Sequence, residues 1–236
     1  MLKRLKKRIA GAVESLLDDA VRRAVRRVLE SDAFDIAGQL QRNALEETAA
    51  FVQAHLLHVP SFADHSALLE AAIQAAPRQG LVCEFGVAAG ESLNFIAERV
   101  AGTVYGFDSF DGLPEDWAGL KRGAFKQNGL PSVRTNATLI KGLFGDTLPA
   151  FVDEHPGPCA LLHVDCDLFS STETVFRYLG PKIITGTVIV FDEFFNYPGW
   201  QQGEYRAFHQ FIDASHSAFE YLGYMRTSQQ AAVRIS

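Results

Sequence analysis

Four carboxylates close two short apolar runs of the sequence. Asp165 and Asp167 follow "ALLHV", and Asp192 and Glu193 follow "TVIVF". If those runs are neighbouring strands of one sheet, the four acids share a rim, where like charges repel and proton affinities rise unless a cation is present. Oxygen ligands with no accompanying His or Cys cluster suit Mg²⁺ or another hard divalent ion. Individual members can equally cap the helices that follow, as Asp167 would before Ser170 and Ser171.

A second constellation lies upstream. In "EFGVAAGES" a carboxylate, Glu84, is followed by Gly86 and Gly90, whose missing side chains let a ligand approach the backbone. Glu91 and Ser92 then open an amphipathic run, and free N–H groups at such a helix start, with the Ser92 hydroxyl, suit a carboxylate or phosphate. Tight packing of strand on helix would call for the same glycines. Asp108 stands 24 residues after Glu84, the place from which an acid reaches the two hydroxyls of a ribose. In "KGLFGD", Phe144 can lie against a flat base, and Gly145 lets it approach. These parts describe a nucleoside site. The dinucleotide pattern G-x-G-x-x-G is incomplete, which counts against NAD.

Alternating elements must position these groups. The pattern predicts strand 81–87, helix 91–100, strand 103–108, strand 137–142, helix 147–154, strand 159–165, helix 171–180, strand 187–192 and helix 203–215. This is the βαβ order of a parallel sheet, in which ligands bind beyond the carboxyl ends of the strands. The tail runs 219–225 and 231–236 leave no room for a crossover and predict an antiparallel hairpin. Residues 109–136 form a long Gly- and Pro-containing connection of the kind that covers a site. "NYPGWQQGEY" adds Tyr197 and Trp200, which either flank a ring of the acceptor or close over the core.

Helical patterns also cover the first 28 residues, 33–57 and 64–76, so the chain reads as a helical extension over 1–77 and a ligand-binding domain over 78–236. The length of 236 residues with 47% hydrophobic composition suffices for a large core. Residues 1–27 carry a net charge of +6 within a total of −6, leaving an acidic body that disfavours nucleic acid as substrate. The apolar stripe of the basic leader is covered by its own domain or by a second subunit, giving a homo-oligomer, or docks on an anionic membrane surface. Cys83, Cys159 and Cys166 are odd in number, lack CxxC spacing and sit in apolar runs, as buried thiols do in a reducing compartment. With no signal peptide and no apolar run of about 18 residues, the expectation is a cytoplasmic protein.

The motifs "EFGVAAGES", "GFDSFDGLPEDW", "HVDCDLFSST" and "FDEFFNYPGW" resemble class I S-adenosylmethionine-dependent methyltransferases, and within them the macrocin O-methyltransferase family that modifies sugars on natural products. The resemblance runs from residue 81 to the end. It implies an α/β, Rossmann-like, seven-stranded, mostly parallel sheet with a C-terminal antiparallel hairpin, preceded by N-terminal helices. It further implies that Glu84, Gly86, Gly90 and Ser92 hold the methionine end of S-adenosylmethionine, Asp108 and Ser109 the ribose side, and Phe144 with Gly145 the adenine. Asp165, Asp192 and Glu193 would hold Mg²⁺. The family often has two Asp residues where this chain has Asp192 and Glu193, so Glu193 either reaches the ion or faces the acceptor. Asp167 is the candidate general base, with His209 the second candidate. The activity so implied is O-methylation of a sugar or other small hydroxylated acceptor. The competing reading is a non-catalytic cofactor-binding or scaffold protein of a glycan or natural-product pathway.

Overall fold

The computed structural model describes residues 34–236 together with residues 17, 18, 20–23 and 25. The helix expected over the first 28 residues therefore lies, but for those few positions, outside the described residues. The chain divides into two compact units, residues 1–43 and 44–236. In the first, Asp35 caps the helix Ile36–His55 by accepting from the Gly38 N–H at 2.9 Å. No helix among the described residues is long and apolar enough to cross a membrane.

The second unit is built on a sheet of eight strands: β1 (Ser61–Phe62), β2 (Leu81–Phe85), β3 (Val104–Asp108), β4 (Ala137–Lys141), β5 (Cys159–Val164), β6 (Val188–Phe191), β7 (Phe219–Met225) and β8 (Ala231–Ile235). Their order is β1-β7-β8-β6-β5-β2-β3-β4. The pairs β2–β3, β3–β4, β2–β5 and β5–β6 are parallel, whereas β8 pairs antiparallel with both β6 and β7. All seven expected strands are present. The eighth is β1, two residues that pair parallel with β7 and form the sheet's edge, too short to show any periodicity in the sequence.

Period-two alternation sends side chains to two cores. Cys83, Phe85, Leu162, Val164, Ile189 and Phe191 pack with the helices Phe144–Glu154, Phe169–Leu179 and Glu204–Ser215. Val82, Leu161, Val188 and Val190 face the helices His65–Ala75 and Glu91–Arg99. The strand order reverses between β2 and β5. That is the switch point at which a parallel sheet opens a crevice beyond its carboxyl ends.

The helix Glu91–Arg99 follows the turn that leaves β2, and a side chain from the end of the long 109–136 connection fastens its far end. The Asn136 amide donates to the carbonyls of Ala97 (2.8 Å), Val100 (3.3 Å) and Gly102 (3.2 Å), which the helix leaves without intrahelical partners. Asn94 clasps the same connection from the helix side, donating to the Ser132 carbonyl at 3.0 Å and accepting from the Arg134 N–H at 2.8 Å. Asn136→Ala should lower the unfolding free energy by about 1–3 kcal/mol, the range for stranding part-buried acceptors. Urea denaturation of the two proteins measures the difference, and an unchanged midpoint would show that water replaces the clamp at no cost.

Candidate active site

At the switch point the backbone does most of the shaping. Gly86 follows β2 with φ +91°, and a β-carbon built there would lie 1.6 Å from the Asp165 carbonyl oxygen. Only glycine allows this approach. The hydrogen-bond ladder continues past the strand ends through Gly86 N–H to Phe107 O (2.9 Å) and Asp165 N–H to Phe85 O (2.9 Å). Asp108, ending β3, accepts from Val87 N–H (2.8 Å) and Ala88 N–H (2.9 Å) through Oδ2, and from Phe110 N–H (2.6 Å) through Oδ1. Its carboxylate thus fixes the glycine turn and still borders the crevice.

The crevice is a cavity of about 270 Å³. Of the residues expected from the sequence, Gly86, Asp108, Ser109, Phe144, Asp165, Asp167 and Glu193 line it. Phe144 is held edge-on against Phe85, ring centroids 5.4 Å apart at 80°. The connection 109–136 supplies one wall through Leu113, Pro114 and Phe125, and Glu115 is tied to the helix Phe169–Leu179 by a 2.6 Å bond from the Ser170 hydroxyl.

Other expected residues lie elsewhere. Glu84 is fully buried behind the turn, where it accepts from the Ser92 hydroxyl and lies 3.0 Å from His163 Nδ1. Ser92 therefore turns toward the protein and away from the cavity. Gly90 takes the left-handed conformation that starts the helix, and a β-carbon there would meet Pro131. Gly145 has open space around it and does not border the cavity. His209 is wedged between Tyr205 and Phe219 at centroid distances of 4.3 and 5.8 Å, outside the cavity lining. Its position on the sheet-facing side of the helix Glu204–Ser215 does not suit a catalytic base. Tyr197 and Trp200 are both buried, Trp200 packing against Phe51 and Tyr205, so they close the core.

Three of the four strand-end carboxylates meet, Asp167 stands near enough to feel the charge of Asp192, and a further acid that the sequence reading missed joins them. Asp165, Asp192 and Glu193 each offer a carboxylate oxygen, and these atoms lie within 4.8 Å of one another. Glu204, fully buried, accepts from Glu193 N–H (3.1 Å) and Cys166 N–H (3.4 Å), stitching the ends of β5 and β6 together. Burial pushes the carboxyls of Asp165, Glu193 and Glu204 well above the ordinary carboxylate range, and neighbouring carboxylates push them further. Asp167 is pushed up to about 6 by burial and by Asp192. Opposing this, burial alone would lower His163, but its bond to Glu84 and the charges of Glu84, Asp165 and Asp192 raise it to about 9. A signal for Glu204 did exist: it falls on the same helical face as Phe208 and Ile212, a charge at a core position.

A mostly parallel sheet with its crevice at the β2–β5 switch, a glycine turn pinned by an acid and carboxylates gathered opposite are features of the doubly wound α/β class, whose ligands sit at such a switch point. Residues 83–194, which span the glycine turn, Asp108 and the strand-end acids, match a family described as a methyltransferase domain. That stretch of the chain is thus similar to a methyltransferase domain. The fold of the chain is similar to a crystal structure of a calicheamicin methyltransferase, with TM-score 0.55 and 23% identity over 71% of this chain and 76% of that one. It is also similar to the structure of the O-methyltransferase NovP, with TM-score 0.52 and 23% identity over 72% of this chain and 76% of that one. No curated protein sequence matches the chain.

The close approach at position 86 gives a direct test. Gly86→Ala puts a β-carbon into the Asp165 carbonyl at a backbone angle that alanine resists, so it should cost more than about 3 kcal/mol or prevent folding. Gly145→Ala meets nothing and should stay within about 0.5 kcal/mol of the parent. Thermal denaturation of both variants decides whether the turn is as constrained as its geometry requires.

Proposed function

We propose that the enzyme transfers the methyl group of S-adenosylmethionine to a hydroxyl oxygen of a small polar acceptor, of which a sugar is the favoured class, with a divalent cation at the strand-end carboxylates. The observation that carries this reading is that one cavity is bordered on one side by Asp108 and Phe144 and on the other by Asp165, Asp167 and Glu193. The solved structure of a TDP-rhamnose 3'-O-methyltransferase, with TM-score 0.50 and 23% identity, supports the sugar class.

S-adenosylmethionine carries a methyl group already made electrophilic by its sulfonium, so the protein's task is to hold the acceptor oxygen in line. Gly86 would leave the backbone open to the methionine end, Asp108 with Ser109 beside it would hold the ribose, and Phe144 would lie against the adenine. Asp165, Asp192 and Glu193 would hold Mg²⁺. The buried Glu193 Oε2 atom lacks a hydrogen-bond partner, as an oxygen kept for an ion would. Such an ion favours the oxyanion of a hydroxyl beside it. Asp167 then accepts the hydroxyl proton; it sits in the left-handed region at φ 62°, aimed by a backbone conformation that Asp and Asn tolerate best.

Calorimetric titration with S-adenosylhomocysteine, using NAD as the control, should show binding of the former alone. Absence of binding by folded protein would refute the cofactor site. Asp167→Asn keeps the favoured backbone but removes the base. It should bind S-adenosylhomocysteine as the parent does while kcat on a hydroxylated acceptor falls about 10²–10⁴-fold. A fall in affinity with kcat intact would assign Asp167 to binding instead.

A further inference from the structure

A second cluster of potential ligands, which shares Asp192 with the carboxylate trio, lies beside the rim, and none of its members lines the cavity. His163 is fully buried, and its Nδ1 faces Glu84 Oε1 at 3.0 Å while its Nε2 has no hydrogen-bond partner. His65, the first residue of its helix, buries a second partnerless Nε2, and the two rings lie 5.4 Å apart. Both nitrogens look toward one atom. Asp192 Oδ1 is 3.5 Å from His65 Nε2 and 3.9 Å from His163 Nε2. The other oxygen of Asp192 accepts from Gln230 Nε2 at 3.0 Å.

With Nδ1–H donated to Glu84, a neutral His163 presents a lone pair at Nε2, and a cation bound there takes the place of the Nε2 proton that the surrounding carboxylates otherwise hold on the ring. Nε2 of His163, Nε2 of His65 and Oδ1 of Asp192 then surround one gap that a cation would fill. We propose that His65, His163 and Asp192 form a binding site for a divalent cation of borderline softness, the Zn²⁺ or Co²⁺ class.

Imidazole nitrogens favour such ions over Mg²⁺, which prefers oxygen. The three ligand atoms lie within 4.8 Å of one another, and ligands about 2.0–2.1 Å from a tetrahedral ion stand about 3.3 Å apart, so small side-chain rotations close the set. Each buried ligand is oriented from behind, His163 by Glu84 and Asp192 by Gln230, as the outer partners of metal-bound histidines and carboxylates do. His65 and Asp192 keep 33% and 18% of their side chains exposed, which leaves an approach from solvent and room for a fourth, water ligand.

The test is titration of the metal-free, untagged full chain with CoCl₂, followed by visible absorption. The expected result is one equivalent bound with the intense d–d bands of low-coordinate Co²⁺, retained in excess Mg²⁺. His65→Ala, at an accessible helix start where it should not disturb folding, should weaken this binding about ten-fold or more. Glu193→Gln, which disables the oxygen trio, should leave the bands in place. No cobalt binding would overturn the proposal. So would weak, octahedral-type bands that His65→Ala does not change and Glu193→Gln abolishes, because the ion would then sit on the carboxylates. Binding of S-adenosylhomocysteine enters neither outcome, so the methyltransferase reading and this site stand or fall separately.

Discussion

The backbone of Gly86 passes so near that of Asp165 that no side chain fits between them, and the site is arranged around this approach. Neighbouring parallel strands normally end side by side with their connections leaving in the same direction. Here the connections of β2 and β5 leave in opposite directions, since β3 lies on one side and β6 on the other. The crevice exists because of that divergence, and its floor is as thin as two backbones in contact. Asp108 keeps the turn above it in place with three amide bonds, so a carboxylate that suits a ribose also serves as structural support.

Across the crevice the protein holds several carboxylates in a space that water would normally be needed to screen. The cost of burying them is met in three ways. Glu204 accepts two backbone N–H groups, His163 supplies a positive counter-charge through its bond with Glu84, and several of the acids hold protons more tightly than they would in water. An arrangement of this kind favours the entry of a cation, because a divalent ion replaces protons and relieves repulsion together. Adjacent residues at the end of β6 point to opposite faces. Asp192 turns toward His65 and Gln230, while the Glu193 side chain borders the cavity and its backbone N–H donates to Glu204.

The aromatic residues after β6 explain why that rim stays put. Phe194 and Phe195 are buried against Phe51, and Phe194 also meets Tyr205, Phe208 and Tyr221. Thr48, on the same helix as Phe51, accepts from the Asn196 N–H at 3.0 Å. The segment that begins with Asp192 and Glu193 is therefore anchored at its far end by a dense core. Tyr197 and Trp200 belong to this anchor, whereas Leu113, Pro114 and Phe125 form a wall of the cavity.

The sequence by itself determined the alternation of elements and the chemistry at each strand's end. Short apolar runs that end at Glu84, Asp108, Asp165 or Asp192 are visible without any structure because strand periodicity and polarity are local properties. Only the tertiary structure decided which of those polar groups border the cavity. Glu84 and Ser92 turned inward because Glu84 stands in register with His163 on the neighbouring strand β5, a partnership set by strand order. His65 and Glu204 joined the rim from helices on opposite faces of the sheet, and His209 left it because its helix face packs on β7. Periodicity encodes which face a side chain takes on its own element. It carries no record of which element will lie opposite, and that pairing fixes the geometry of the site.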